Sequence, residues 1–126
     1  MAPSRRPKGD EFTRSIIGAF YAVYTELGYG LAESLYSKAL EIELRLRGHV
    51  VECEKWVDVF YKGHRLRRQR IDMIVDHCVV LENKATERLP LYVKPQLQTY
   101  LRASGLELGL ILHFGPQPKF YRQVRF

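Results

Sequence analysis

Two carboxylates and a lysine flank a pair of short apolar runs near the middle of the chain. Asp72 precedes the run 73–75, and Glu82 and Lys84 follow the run 78–81. Both runs have the length and composition of buried strands, so charged side chains at their ends are out of place in a core. Two acids and an ammonium group at one edge of a sheet are suited to metal-assisted chemistry. The pattern therefore indicates a functional site.

A hairpin would bring these charges together. The polar pair 76–77 between the two runs predicts a turn, and folding the chain there returns Asp72 to the side of Glu82. Because side chains alternate between the two faces of a strand, Glu82 and Lys84 point the same way and Asn83 points the other way. The acids and the lysine are then expected to share one edge of the sheet.

The elements around this hairpin read as an α/β domain. Apolar residues recur at helical spacing before residue 50, and β-branched and aromatic residues alternate after it. A continuous apolar run near the C-terminus is typical of a central strand covered on both faces. The pattern predicts helices over 10–27, 31–47 and about 94–104, and strands over 50–54, 56–61, 108–114 and 119–126.

Bulk properties limit the class of protein. The 126 residues fit one domain with a core of its own, preceded by a disordered basic tail over 1–10, so that the domain spans 11–126. The formal net charge of +6 favours a polyanionic partner, with solubility as the alternative explanation. Cys53 and Cys78 lack metal-ligand spacing and are expected to be buried thiols. No apolar run is long enough for a membrane span and no signal core is found, which predicts a cytoplasmic protein.

Further polar residues on the helices could complete the site. Glu33 lies in the first turn of the second helix, where the helix dipole alone would favour a glutamate, and Gln96 lies in the third helix. Three clustered carboxylates (Glu33, Asp72 and Glu82) repel one another unless a cation lies between them. An oxygen-only ligand set suits Mg²⁺ or Mn²⁺, whereas the scattered histidines disfavour zinc. With Lys84 to orient water or neutralise charge, metal-assisted hydrolysis of a phosphodiester is the expected reaction.

A run of basic residues leads into Asp72. Five lysines and arginines fall within nine residues, which suits either a charged edge strand that resists aggregation or a ridge that contacts phosphates. The run ends two residues before the acidic site, and this favours the phosphate-contacting interpretation. Its members are Lys62, Arg65, Arg67, Arg68 and Arg70.

Three motifs carry a resemblance to a known family. Asp72 followed by Glu82-Asn83-Lys84 resembles the D…(D/E)xK signature of the PD-(D/E)xK nuclease superfamily. The segment 30–36 resembles the GxxExxY motif of an uncharacterised bacterial family within it, and 96–100 resembles the QxxxY motif of its RecB-like branch. The motifs follow the family's order, and the resemblance covers about residues 16–126. Asn83 stands where an apolar residue is commoner, and two cysteines cannot supply the iron–sulfur cluster of some RecB-like relatives.

The resemblance implies a three-layer restriction-endonuclease-like fold with an αβββαβ core, an extra N-terminal helix and a C-terminal strand. It also implies a Mg²⁺ site, with Mn²⁺ as the alternative metal, and DNA as the substrate. The implied catalytic residues are Lys84, Glu82, Asp72 and Glu33. The implied metal ligands are Asp72, Glu82, Glu33 and the Asn83 carbonyl. Substrate-binding residues, with the basic run included, are expected to be Gln96, Tyr100, Arg67, Arg68, Arg70 and Tyr36.

Three hypotheses about function remain open at this point. The chain is a metal-dependent nuclease acting on DNA, with a homodimer as one candidate assembly. Alternatively, it is a nucleic-acid-binding or assembly module that keeps the fold without useful hydrolysis. In the third hypothesis the acids and Lys84 form only an ion-pair network. Cleavage assays with Lys84→Ala, metal-free binding and stabilisation by Mg²⁺ separate them.

Overall fold

Within residues 9–126, three helices and five strands make up the fold. The computed structural model describes residues 9–126, so most of the predicted tail over 1–10 lies outside the described residues. The helices are α1 (Gly9–Leu27), α2 (Glu33–Leu46) and α3 (Val93–Ser104). The strands are β1 (Val51–Tyr61), β2 (His64–Val75), β3 (Val79–Lys84), β4 (Leu108–Phe114) and β5 (Pro118–Val124).

The strands form one sheet in the order β1-β2-β3-β4-β5, with α3 as the single crossover. Neighbouring strands are antiparallel except β3 and β4, which run parallel because α3 carries the chain back across the sheet. One apolar cluster joins α1 and α2 to one face of the sheet, and a second joins α3 to the other face. The predicted three-layer restriction-endonuclease-like fold is thus confirmed, including the extra N-terminal helix and C-terminal strand.

The strand β4 lies inside the sheet and is buried, as its continuous apolar composition predicts. Every residue of β4 is buried, since helices cover both of its faces. Immediately before it, Gly105 ends α3 in the left-handed conformation at φ 75°, which a residue with a side chain rarely adopts. The parallel register then pairs Glu82 with Ile111 and Lys84 with His113. The end of β3 that carries the predicted site is therefore held by the most buried strand of the sheet.

A long hairpin extends beyond the sheet. The two predicted strands over 50–61 are one strand, β1, and Glu54 keeps its place in it by adopting a positive φ of 55°. The pairing of β1 with β2 runs from Val51–Val75 to Tyr61–His64, whereas β2 pairs with β3 only over residues 73–75. Beyond that point β1 and β2 form a two-stranded ribbon, here called the hairpin arm (residues 54–70).

The β2–β3 turn is held by a hydrogen-bonded chain of side chains. Asp76 and His77 have φ of 52° and 56°, and the amide of Cys78 donates to the carbonyl of Val75 at 3.0 Å. The Asp76 carboxylate lies 2.7 Å from Nδ1 of His49, whose Nε2 lies 2.8 Å from the hydroxyl of Ser15 in α1. These contacts fix the turn to α1 and thereby set the register of the hairpin that carries Asp72.

The cysteines only partly match the expectation. Neither cysteine is in a disulfide, as predicted, but Cys53 is exposed and Cys78 is half-buried. Burial was the wrong part of the prediction, because Cys53 lies where β1 leaves the sheet and only one of its faces is covered. Within residues 9–126, no helix is long and apolar enough to cross a membrane.

Candidate active site

The strands β2 and β3 separate at Asp72 and Glu82. There the carboxylates of these two residues, instead of backbone carbonyls, accept hydrogen bonds from the amides of the opposite strand. The ladder pairs end at Met73–Leu81. Beyond them the amide of Asn83 donates to Oδ2 of Asp72 at 2.9 Å, and the amide of Asp72 is hydrogen-bonded to the Glu82 carboxylate. Each carboxylate thus accepts from the opposite strand. The exchange holds the two acids beside each other at the point where the sheet opens.

Burial makes the Glu82 carboxylate costly to ionise. The side chain is only 2% exposed, and its Oε1 has no hydrogen-bond partner among the described residues. Burial, together with the negative charge of Asp72, raises the pKa of Glu82 to about 8, although Lys84 opposes the shift. A buried, unpartnered carboxylate oxygen is destabilising unless a cation or a proton reaches it. The arrangement is therefore one that a bound cation would relieve.

Asp72 and Glu33 add two further carboxylates to the same region. Burial raises the pKa of Asp72, and the charge of Glu33 adds to the rise. Glu33 reaches this region from the first turn of α2, where its Oε1 accepts a hydrogen bond from the Ala85 amide at 3.2 Å. Glu33 and Asp72 line the same cleft of about 420 Å³ between α2 and the sheet. Asp72 thus lies between the other two predicted acids, with Glu33 in the cleft and Glu82 on β3, but among the described residues the three are not close enough to enclose a metal ion by themselves.

Lys84 lies on the α3 side of the cluster. Its ammonium nitrogen is 5.6 Å from the ring centroid of Tyr92, just before α3. Its positive charge lowers the pKa of both Asp72 and Glu82, against the larger effect of burial on each. Lys84 is half-buried, so its ammonium group lies near both acids without being sealed in the core.

Asn83 points to the opposite face, as the alternation of side chains predicts. Its side-chain nitrogen donates to the hydroxyl of Ser37 in α2 at 3.1 Å. Its Oδ1 is buried and has no hydrogen-bond partner among the described residues. The hydrogen bond to Ser37 therefore explains in part why a polar residue is tolerated at position 83. Sequence reasoning did not identify Ser37. Only the backbone of Asn83 lies at the acidic cluster, where its amide bonds to Asp72.

Tyr100 connects the acids to the hairpin arm through a residue that sequence reasoning missed. Burial, with the nearby charges of Glu82 and Asp72, raises the pKa of Tyr100. Its hydroxyl lies 2.9 Å from the side-chain amide of Gln69, and the other end of that amide meets the guanidinium of Arg67 when its oxygen faces Arg67. Alternation along β2 places Gln69 on the face of Arg67 and Ile71, which is the signal that could have identified it.

The other residues expected to contact the substrate are the arginines of β2 and Gln96 of α3. Arg70 lines the same cleft as Asp72, and the guanidinium carbon of Arg68 lies 5.2 Å from the ring centroid of Trp56 on the hairpin arm. Gln96 is half-buried in α3, and no hydrogen bond joins its side chain to the carboxylates within residues 9–126.

Tyr36 lies in the core rather than at the cluster. It is fully buried, its ring stacks on Phe114 at a centroid distance of 4.4 Å, and its hydroxyl bonds to the carbonyl of Gly28 and the amide of Leu31. The structure thus corrects the expectation of a substrate contact. A tyrosine is required here to close the 28–31 loop, which places Glu33 at the start of α2.

The donor set fits a hard divalent cation that keeps part of its water shell. Among residues 9–126, no three Asp, Glu, His or Cys side chains are close enough to enclose a metal ion by themselves. Mg²⁺ does not need such a cage, since it is commonly bound by one or two carboxylates together with water and substrate phosphate. The unpartnered Oε1 of Glu82, beside the Asp72 carboxylate, supplies donors of that kind.

An open sheet flanked by helices, with paired carboxylates and a lysine where two strands separate, defines a restriction-endonuclease-like domain. A family profile described as the PD-(D/E)XK nuclease superfamily matches residues 10–125. The chain therefore belongs to the PD-(D/E)XK nuclease superfamily. No curated protein sequence matches it significantly.

A solved structure shares the fold. The crystal structure of SSO0001 superposes with a TM-score of 0.61 at 25% sequence identity. The match covers 91% of the present chain and 58% of SSO0001. The present chain therefore spans little more than half of that relative.

Proposed function

We propose that the chain is a Mg²⁺-dependent nuclease that hydrolyses phosphodiester bonds in DNA, with Mn²⁺ able to replace Mg²⁺. The observation that supports this is the buried, unpartnered Oε1 of Glu82 beside Asp72, whose own side chain lines a cleft together with Glu33. An ion-pair network alone would leave that oxygen buried without a partner, at a cost of about 1–3 kcal/mol. In this proposal Asp72, Glu82 and the Asn83 carbonyl bind the metal directly, and Glu33 contacts it through a water molecule of its hydration shell.

A bound divalent cation would polarise the phosphodiester and lower the pKa of a water molecule. The residues of the chain do the positioning. The amides of Asp72 and Asn83 fix the two carboxylates from opposite strands, so that neither can rotate away from the opening. The ammonium group of Lys84 donates a hydrogen bond to a phosphate oxygen, and its positive charge offsets the negative charge that grows there. Tyr100 and Gln96 support this edge from α3.

Finer assignments are part of the same proposal. The 30–36 and 96–100 motifs favour membership of the GxxExxY family and of the RecB-like branch. Arg67, Arg68 and Arg70 are placed on β2, which leads directly to Asp72, so they would contact the DNA backbone. A homodimer would supply a second site for the opposite strand. The cytoplasmic location stays a prediction.

The test is cleavage of labelled single-stranded, duplex and branched DNA and of RNA, with Mg²⁺, Mn²⁺ or a chelator. We expect metal-dependent cutting that falls about 10²–10³-fold or more in Lys84→Ala and Glu82→Gln. Lys119→Ala, which removes an exposed lysine from β5, is the matched control and should cut normally. Calorimetric titration with Mg²⁺ gives a readout independent of turnover, in which Glu82→Gln weakens binding. Cleavage that survives both site substitutions would contradict the proposed mechanism.

A second candidate function is a binding or assembly module of the same fold with little or no hydrolysis. The hairpin arm supports it, because six lysines and arginines against two acids lie within residues 54–70. Salt-sensitive DNA binding that persists in chelator, with no cleavage of any substrate in the panel, would favour this function over the nuclease.

A further inference from the structure

The hairpin arm offers an uncovered face of about the length of a short oligonucleotide. From Asp72 to the turn at residue 63 the ribbon extends for roughly 30 Å at ~3.3 Å per residue. Along this length β2 pairs with β1 alone, since its pairing with β3 begins only at Met73. A two-stranded ribbon buries little surface by itself and is marginally stable unless something covers it. One of its faces has such a cover and the other does not.

The register separates the two faces. Residues directly opposite in an antiparallel pair point to the same side, and the pairs include Val57–Gln69, Trp56–Arg70 and Asp58–Arg68. The side of Val57 and Gln69 is covered by α3, through apolar packing and the contact with Tyr100. The other side, here called the open face, is exposed along its length, and its inner end meets the cleft against α2 at Arg70. Its members are Trp56, Asp58, Phe60, Arg65, Arg68 and Arg70.

The open face has aromatic rings on β1 beside a row of arginines on β2. Trp56 and Phe60 are 51% and 59% exposed, so both rings are accessible to a ligand. Arg68 lies over the Trp56 ring, and Arg65 reaches Asp58 only at 3.8 Å. Arg70 likewise reaches Glu54 at 3.6 Å, with both side chains more than half exposed. Such exposed pairs are worth little, so the arginines are free to exchange them for phosphates.

The positive charge of the hairpin arm and its exposed aromatic rings together indicate which kind of ligand the open face binds. Residues 54–70 carry six basic and two acidic side chains in a chain of formal net charge +6, so most of the excess charge lies on the arm. A second copy of the arm would bring like charges together, whereas a polyanion would neutralise them. Duplex DNA would satisfy the arginines but not the rings, because its bases are already stacked. Unpaired bases stack on exposed aromatic rings, at about 1–3 kcal/mol for each base.

We propose that the open face binds a single-stranded nucleic-acid segment and leads it into the acidic cleft, an inference that rests on the proposed nuclease function for its direction. Arg70 connects the two regions, because it lines the cleft with Asp72 and is paired in register with Trp56. Bases stack on Trp56 and Phe60, and Arg68 and Arg65 contact the phosphates between them.

The test is fluorescence anisotropy with labelled single-stranded and duplex oligonucleotides of equal length, in chelator so that cleavage plays no part. We expect a preference for the single strand. Trp56→Ala and Phe60→Ala should each weaken it roughly 5- to 150-fold, and Trp56→Phe should retain most of the affinity. Arg68→Ala should reduce the slope of log K against log salt by about 0.7. Phe126→Ala and Arg102→Ala remove an exposed ring and an exposed arginine elsewhere, and should leave binding unchanged.

Several outcomes would overturn the inference. Equal loss of single-strand and duplex binding in Trp56→Ala would mean that the rings do not stack on bases. A wild-type dimer that Trp56→Ala converts to a folded monomer would make the open face a self-association surface. The proposed function fails separately, by a lack of cleavage while single-strand binding still depends on Trp56. Cleavage of single strands that is unaffected by Trp56→Ala and Phe60→Ala would sink this inference and leave the nuclease intact.

Discussion

Glu82 should make the metal-free protein lose stability as the pH rises. The native carboxyl has a pKa of about 8, whereas the ordinary value is 4.5. Between these values the native state holds a proton that the unfolded chain has released, so the free energy of unfolding falls as the pH increases. The full effect is present below about pH 4.5 and is lost by pH 8 to 9. A shift of this size corresponds to roughly 4–5 kcal/mol as an upper limit.

The assay is thermal unfolding in chelator from pH 5 to pH 9, for the wild type and Glu82→Gln. The amide keeps the shape of the side chain but does not ionise. Between pH 5 and pH 9, the melting temperature of the variant should therefore fall by about 10–20 °C less than that of the wild type. Glu43→Gln, which removes a surface partner of Arg47, should follow the wild-type curve. Mg²⁺ should raise the melting temperature of the wild type most at high pH, and that of Glu82→Gln hardly at all.

Parallel curves for the wild type and Glu82→Gln would refute the reasoning. They would mean that the native and unfolded states hold the Glu82 proton equally, and therefore that the carboxyl is not buried beside Asp72. Mg²⁺ stabilisation that is equal in both proteins would separately show that Glu82 is not part of the metal site.

Two further predictions concern the scaffold. Asp76→Ala removes the acceptor of the Val50 amide at 2.8 Å and of His49 at 2.7 Å, and should cost about 1–3 kcal/mol in urea unfolding. Glycine tolerates the positive φ of residue 76, so Asp76→Gly should lower the free energy of unfolding by less than Asp76→Ala does. An equal loss in the two variants would assign the whole effect to the hydrogen bonds. Gly109→Ala would place a methyl group 2.7 Å from the Leu97 side chain, and should destabilise by about 1–3 kcal/mol. Combination with Leu97→Ala should then be less than additive, and strict additivity would contradict the packing argument.

Much of the fold follows from local pattern. The continuous apolar run over 108–114 became β4, which is buried throughout, and the Lys62-Gly63 pair became a turn with φ of 48° and 79°. The neighbourhood of Asp72 and Glu82 was also predictable, because charged residues at the ends of two buried runs must meet when the runs pair. These are cases in which short-range preference and burial favour the same structure.

Other features depended on tertiary partners that the sequence does not display. Helical spacing put Leu35 and Leu46 on the apolar face of α2, yet they are 54% and 76% exposed. The period defines a face but not how far a neighbouring element covers it. The prediction likewise left a gap at Lys55 between two strands, whereas Lys55 pairs with Ile71 and β1 continues through it. The link from Tyr100 to Gln69 required the register of the arm against α3, which no local signal provides.

The acidic cluster is assembled from contacts of very different range along the chain. The hydrogen bond between Asp72 and Asn83 spans 11 residues, whereas that between Glu33 and Ala85 spans 52. Closing the longer loop costs roughly 1.4 kcal/mol more entropy, so the hairpin half should form early in folding and the α2 half late.

This order of assembly leaves Glu33 outside the folding nucleus, whereas Asp72 and Glu82 belong to the hairpin that forms early. Mutations of the β2–β3 hairpin should slow folding, whereas Glu33→Ala should act chiefly on the unfolding rate, as stopped-flow measurements on both can show. The third carboxylate then arrives only after the core has closed around the other two. The repulsion between Glu33 and the other two carboxylates therefore develops after the folding transition state and does not raise the barrier to folding.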